Sequence, residues 1–202
     1  MEISAAAETD VDEASECLAS AFGAYPLMKF FFPGPAANRQ TLVVEMFALL
    51  LSVRIALGMP VLLIRQRGEI VGAVMGYDTR NVEWPHTHRD QWARFEKKQV
   101  AFADRFEQLK GASKRFRPLA PHYYIGALGV EPAMQGRGVG ASLLDAYCKI
   151  SAQEATSTGT YLETSNPRNL GFYQGCGFNL LGQSELDSHT SLWSLFRPRQ
   201  SA

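Results

Sequence analysis

Gln135-Gly136-Arg137-Gly138-Val139-Gly140 places three glycines at alternate positions, directly before an apolar helical pattern at Val139, Leu143, Ala146 and Tyr147. Ahead of them Tyr123 to Val130 is rich in aromatic, branched and small apolar residues on both parities, which suits a strand buried on both faces. Pro132 ends that ladder because it has no N–H to donate. A strand feeding a glycine-rich turn that opens a helix is a geometry for holding phosphate. The first turn of a helix offers N–H groups without intrahelical partners, at the positive end of the dipole. Glycine lets an anion approach that backbone with no Cβ in the way. Residues 135 to 141 are therefore expected to cradle a phosphate or pyrophosphate, the alternative being a tight turn with no ligand.

The spacing sorts the phosphate ligands. No Lys-Ser or Lys-Thr pair follows the glycines, so the nucleoside triphosphate loop is absent. The spacing Gly-x-Gly-x-Gly, late in the chain, also departs from the Gly-x-Gly-x-x-Gly of dinucleotide folds. His86 and His88 stand as His-x-His, but no cysteine or carboxylate set completes a metal site, and none is expected.

The form Gln/Arg-x-x-Gly-x-Gly/Ala, filled here by Gln135, Gly138 and Gly140, resembles the acetyl-CoA pyrophosphate loop of the Gcn5-related N-acetyltransferases (GNAT). The stretch Leu162 to Phe178 resembles that family's second signature: a strand, an asparagine-started helix carrying a tyrosine, then Gly177-Phe178 into another strand. Both occur in order, and the resemblance covers essentially the whole chain. Ala21-Phe22-Gly23-Ala24-Tyr25-Pro26, Leu119-Ala120-Pro121-His122 and Leu162-Glu163-Thr164-Ser165 look closest to the puromycin N-acetyltransferase branch. Between Leu27 and Leu119 the match is much less clear.

The resemblance implies a single α/β domain over residues 1–202, with a mixed, mostly antiparallel central sheet flanked by helices. It implies an N-acetyltransferase that moves an acetyl group from acetyl-CoA to a primary amine by direct attack in a ternary complex. The acceptor class it suggests is a small molecule, an aminonucleoside or other xenobiotic amine. A protein N-terminus or lysine is the alternative acceptor, and a non-catalytic acyl-CoA sensor the alternative role. By the same resemblance Leu128, Gly129 and Val130 offer backbone groups to the cofactor arm and the thioester. Gln135, Gly136, Arg137, Gly138, Val139, Gly140 and Ala141 hold the pyrophosphate, and Asn166 and Asn169 contact the cofactor. Tyr173 matches the family's tyrosine, at once a cofactor contact and the acid that protonates the departing thiolate, a donation suited to a phenol. Glu163 is the candidate base for the incoming ammonium, with a solvent water as the alternative. Tyr25, Trp84 and His122 are candidate walls of the acceptor pocket; structural roles in the core are the competing account of all three.

The chain that must position these residues has 202 of them, 46% hydrophobic and 20% charged. That composition supports one folded domain with a real core rather than disorder. Twenty basic and 20 acidic residues balance, so nothing in the charge argues for a nucleic-acid or anionic-membrane partner. Monomer and homodimer both stay open. Three scattered cysteines and a start without basic and apolar leader regions suggest a reduced, cytoplasmic setting. Met46 to Ile64 is almost wholly apolar, yet Arg54 lies inside it and Gly58-Met59-Pro60 breaks it, which fits a buried helix and a strand better than a membrane span.

Other elements follow from periodicity. Residues 1 to 6 suit a short strand. Asp10 with Glu13 predicts a capping box opening a helix that Gly23-Ala24-Tyr25-Pro26 stops. A second helix is expected over Ala37 to Leu57, then a hairpin of Val61–Gln66 and Ile70–Tyr77 turning at Arg67-Gly68-Glu69. Asn81 to His88 suggests a loop, and residues 89 to 111 one long amphipathic helix that narrows the acceptor groove. Lys114-Arg115-Phe116-Arg117 suits a basic connector that either meets the cofactor's acidic groups or is simply exposed. A helix over 139 to 155, a strand from Tyr161 and final antiparallel strands at Phe178–Gln183 and Ser191–Phe196 complete the chain.

Overall fold

The expected hairpin forms. β2 (Val61–Gln66) and β3 (Glu69–Tyr77) pair antiparallel, and Arg67 and Gly68 turn with φ of 55° and 90°. Positive φ at both central residues matches the twist of the flanking strands. The computed structural model describes residues 1–200. Its other strands are β1 (Glu2–Ala5), β4 (Tyr123–Val130), β5 (Gly159–Thr164), β6 (Asn179–Glu185) and β7 (Ser191–Pro198). They make one seven-stranded sheet in the order β1-β2-β3-β4-β5-β7-β6. Only β4 and β5 run parallel; the remaining pairs are antiparallel, as expected of a mixed, mostly antiparallel sheet.

Among the described residues seven α-helices cover it: α1 (Val11–Phe22), α2 (Pro26–Phe31), α3 (Ala36–Ala56), α4 (His86–Lys98), α5 (Phe102–Lys114), α6 (Val139–Gln153) and α7 (Leu170–Gly175). On one face α1 to α5 pack over Leu63, Ala73, Met75 and Ala127. On the other, α6 and α7 cover Leu62, Val74, Tyr123 and Ile125. Among the described residues no helix is long and apolar enough to cross a membrane.

Several expectations need correction. The Asp10–Glu13 capping box does not form, and Asp10 makes no side-chain cap to α1. Asp10 instead accepts from the Ala7 N–H at 2.8 Å and pairs with Arg65 at 2.6 Å. Glu13 accepts from the Ile70 N–H at 2.6 Å. Both carboxylates are drawn to the β2–β3 hairpin, where a guanidinium and a free N–H offer stronger partners than the helix start.

The helix expected over 89 to 111 is two helices. The first starts at His86, inside the segment whose composition suggests a loop, and the break falls at Gln99 to Ala101, where Ala101 adopts φ 63°. The break lets Trp92, Phe95 and Phe102 converge into one aromatic cluster, with Phe95 and Phe102 5.2 Å apart. A straight helix would point these side chains along one stripe.

β4 is not buried on both faces. Tyr123, Ile125, Ala127 and Gly129 are buried, whereas Tyr124, Leu128 and Val130 are half-buried and Gly126 is exposed. Two local features account for this. The β3–β4 register shifts between Met75 and Gly76, which pair with Ala127 and Ile125 and leave Gly126 as the extra residue. A bulge of this kind re-aims the residues that follow it: Ile125 belongs to the α6–α7 core and Ala127 to the α1–α5 core. The parallel pairing with β5 also stops at Ile125–Leu162. Beyond it the two strands part, and the apolar residues of β4 line an opening.

Candidate active site

A cavity of about 360 Å³ lies where β4 and β5 separate. Ile125 to Leu128 form its floor, and Glu163 and Ser165 of the β5 side, Tyr173 of α7, Arg54 of α3 and Tyr25 contribute to its walls. Phe106, Leu109, Lys110, Ser113 and Lys114 bring α5 across it, so the expectation that this part of the chain narrows the groove holds for the second of the two helices.

Glu163 projects from β5 and accepts three hydroxyl hydrogen bonds. Ser113 and Tyr161 donate to Oε1, the latter at 2.8 Å, and Tyr124 donates to Oε2 at 3.3 Å. Burial first, and the Glu163 charge second, push the Tyr124 and Tyr161 phenols well above their ordinary range, so both remain protonated donors. Arg117 lies over the Tyr124 ring, 4.9 Å from its centroid, and lines the cavity; the basic connector faces the cleft with this residue and Lys114.

Tyr173 is buried between Phe172 and Phe178, with ring centroids 5.1 and 6.0 Å away. Burial, and then the nearby Tyr25, raise its phenol far above the usual range. A hydroxyl of that kind stays protonated and can only give its proton to a stronger base formed beside it. Tyr25 caps the same wall. Its hydroxyl shares a 2.5 Å hydrogen bond with the Thr164 hydroxyl and accepts from the Ser165 N–H at 3.2 Å. That ties the chain after α1 to the end of β5.

Trp84 lines the cavity and donates from its indole N–H to the Tyr77 hydroxyl at 3.0 Å. His122 does not line it. It lies in an adjoining groove of about 500 Å³ that shares Tyr77, Trp84, Arg117 and Tyr124 with the cavity. Its Nδ1 is 2.8 Å from the Ala120 carbonyl, its ring packs edge-on to Tyr161, and burial lowers its pKa. The structure thus brings Glu163, Tyr173, Tyr25 and Trp84 together and places His122 outside that group.

The glycine turn has the geometry its spacing predicts. Gly136 and Gly138 take φ of 73° and 81°, and Gly138 is the N-cap of α6. These left-handed angles are strained for any residue with a Cβ. Ser142 N–H to the Gly138 carbonyl, at 2.9 Å, is the first bond of the helix, so the N–H groups of Val139, Gly140 and Ala141 precede the intrahelical ladder. Gln135 is used within the turn, donating from Nε2 to the Val130 carbonyl at 3.0 Å. Arg137 is exposed beside it, and Gly140 lies near the ring of Phe172.

Gly129 serves a different purpose. A Cβ there would stand 2.8 Å from Leu18 and 3.1 Å from Ala21, so its bare Cα admits α1 close to the strand that Leu128 and Val130 share. Asn166 opens a 3-10 turn before α7, its side chain accepting from the Arg168 N–H at 3.1 Å, and the Asn169 N–H closes on the Asn166 carbonyl at 3.0 Å. These residues fit a pantetheine arm along β4 and a pyrophosphate on the α6 N-terminus.

Residue periodicity missed Ser113, Tyr124 and Tyr161, which donate to Glu163, and assigned no function to Arg54. Arg54 did leave a signal: it is the single charge between Met46 and Ile64. The tyrosines left none, because an aromatic in a strand looks the same whether it faces core or cleft.

The site thus combines a parallel strand pair that splits, a glycine turn at a helix start, and a carboxylate-bearing cavity. Residues 31–178 match the Acetyltransferase (GNAT) family, and the chain belongs to that family. Solved structures share the fold over nearly the whole chain. A protein described as histone acetyltransferase HPA2 and related acetyltransferase, from Corynebacterium glutamicum, is 21% identical with a TM-score of 0.72, covering 99% of this chain and 97% of its own. An agmatine N-acetyltransferase variant in apo form is 16% identical with a TM-score of 0.65, covering 98% of each chain. YncA, a putative acetyltransferase of Salmonella typhimurium solved with acetyl-CoA, is 16% identical with a TM-score of 0.59, covering 100% of this chain and 95% of its own. This chain is thus an acetyltransferase of the GNAT type.

Proposed function

We propose that the protein transfers an acetyl group from acetyl-CoA to the primary amine of a small molecule. The observation that carries this is the convergence of Glu163 and Tyr173 on one cavity, at the point where β4 leaves β5. The α6 N-terminus and the Gly136–Gly138 turn hold the pyrophosphate, with Asn166 and Asn169 beside the arm. When bound, acetyl-CoA supplies an activated acyl thioester.

The chain's own groups do the rest. Glu163 takes the proton of the incoming ammonium at Oε2, its less engaged oxygen. The freed amine forms the C–N bond as the C–S bond breaks, and the Tyr173 hydroxyl protonates the departing thiolate. The nitrogen of the new amide gives up its remaining extra proton, which returns through solvent to the Tyr173 phenolate, and solvent takes the proton held by Glu163, so that one proton is released per turnover. Backbone groups of β4 beyond Ile125, at Leu128 and Val130, lack a partner strand on the β5 side and suit the acyl carbonyl. Cys17, Cys148 and Cys176 do not line the cavity, and burial pushes the Cys17 thiol up to about 12. No thiol is placed to take the acyl group first, which supports direct attack.

Enclosure by α5 supports a small acceptor over a protein N-terminus or lysine, since a polypeptide needs an extended groove. Tyr25 and Trp84 are its apolar walls. The aminonucleoside class rests on the local resemblance at Ala21–Pro26 and Leu162–Ser165.

The test is thiol release from acetyl-CoA against a panel of aminonucleosides, including puromycin, together with other small amines, amino acids and short peptides, in wild type and Tyr173→Phe. We expect release with one small-amine class, cut on the order of 10²-fold in the variant, because positioned proton transfer contributes that much. Silence with every amine, alongside retained acetyl-CoA binding, would instead favour a sensor.

A further inference from the structure

Arg54 stands on the last turn of α3, 4% exposed, and lines the cavity. Its guanidinium lies over the Tyr77 ring, 4.5 Å from the centroid, and Nη1 donates to the Leu50 carbonyl at 2.8 Å. Nε has no partner. None of the ion pairs among the described residues includes it. A Cβ at Gly126 would come 3.1 Å from Nη2, so the guanidinium rests against the bulge where the cleft opens.

A buried cation without a counter-ion is unfavourable, and one carbonyl bond and one ring face offset only part of that. Four of its five N–H donors are left for something else. The charge of the cavity points the same way. Lys114 and Arg117 also line it, as does Lys110, which is paired with Glu107 of its own helix, against Glu163 as the single lining carboxylate. Glu163 is occupied by hydroxyl donors and forms no ion pair with Arg54. The cavity therefore holds an excess of positive charge with its most buried cation unmatched.

We propose that the acceptor is an amine that also bears an anionic group, a carboxylate or a phosphate, and that Arg54 binds that group. The proposal rests on the amine-acetylation reading for the amine half alone. The planar guanidinium fork matches either anion through paired N–H bonds. The two ends of such a zwitterion meet opposite charges, the ammonium at Glu163 and the anion at Arg54. Polyamines and uncharged aminonucleosides lack the second anchor.

Binding separates the two ideas. With coenzyme A present, isothermal titration compares leucine with isoamylamine, phenylalanine with phenethylamine, and phosphoethanolamine with ethanolamine; thiol release from acetyl-CoA is followed on the same pairs. The acidic member of at least one pair is expected to bind on the order of 10- to 100-fold tighter than its neutral twin, the range of a charge-assisted buried contact. Arg54→Met should remove that preference and Arg54→Lys retain part of it. The carboxylate and phosphate pairs distinguish the anion. Should Arg54→Met fail to fold, the ligand pairs decide the matter in the unaltered protein. Equal affinity, preference for the neutral member, or no binding in any pair overturns the proposal. Preference in binding without thiol release removes amine acetylation and with it the acceptor half of the proposal, leaving Arg54 as an anion site alone; acetylation of neutral and acidic amines alike keeps amine acetylation and overturns the proposal.

Discussion

Glu163 Oε2 carries one hydrogen bond, from Tyr124 at 3.3 Å, while Oε1 accepts from both Ser113 and Tyr161. The crowded oxygen holds the side chain still and the other is left for an acceptor. Replacing the carboxylate with an amide keeps the shape and removes the proton acceptor. Glu163→Gln is therefore expected to lower kcat by about 10²-fold at neutral pH. The deficit should shrink as pH rises toward the pKa of the acceptor amine, because an already free amine needs no base. A rate profile from pH 6 to 10 on wild type and variant checks this; a deficit constant across that range would point to a positioning role. Tyr173 and Tyr25 show why two phenols on one wall differ. Burial raises both phenols, but Tyr25 is engaged with Thr164 and Ser165, whereas Tyr173 packs among Phe172 and Phe178.

At the scale of elements, opposite exchanges at two helix starts follow one rule: adding a methyl group in the left-handed region costs stability at the first, and removing one restores it at the second. Gly138, N-cap of α6, sits at φ 81° with nothing near the place of its missing Cβ, so the strain of a substitution there is conformational rather than steric. Gly138→Ala should cost about 1 kcal/mol of stability and weaken acetyl-CoA binding as the N–H groups tilt away. Ala101, N-cap of α5, already occupies the left-handed region at φ 63° on an exposed turn. Ala101→Gly should raise stability by about 0.5–1 kcal/mol, the relief of that strain less the added freedom of the unfolded chain. Urea unfolding of both variants, with acetyl-CoA titration of the first, tests the pair. The α4–α5 break is thus a built corner that turns Phe102 inward.

Across the whole molecule, the sheet separates two cores with different duties. The α1–α5 core carries the acceptor walls, and the α6–α7 core carries the glycine turn and Tyr173. Phe102 is fully buried and lies within 6 Å of the rings of Phe31, Phe32, Trp92, Phe95 and Phe106. Phe102→Ala should cost about 3–5 kcal/mol. Its kinetic effect should fall on one substrate: KM for the acceptor rises severalfold as α5 loosens, while KM for acetyl-CoA stays near wild type. A matched rise in both would mean the two cores move as one. β4 is the strand they share, and its bulge hands successive residues from one core to the other.

The sequence by itself determined what is local in cause. Alternate glycines before a helical pattern specified the turn at 136 to 138, since only a residue without Cβ adopts those angles freely. Hydrophobic alternation and turn residues placed the strands, and the family signatures placed Glu163, Asn166 and Tyr173 on the elements where they are found. Tertiary structure alone decided the rest. Asp10 and Glu13 had the spacing of a capping box, but Arg65 and the Ile70 N–H, distant in the chain, competed for them. Periodicity ran through Gln99 to Ala101 without a breaker, yet packing of Phe102 among five rings outweighed the strain at Ala101. Glu163's donors come from α5, β4 and β5, and Arg54 meets Tyr77 and Gly126 only once α3 crosses the sheet. Such partners are set by long-range burial and charge, which single-chain spacing does not encode.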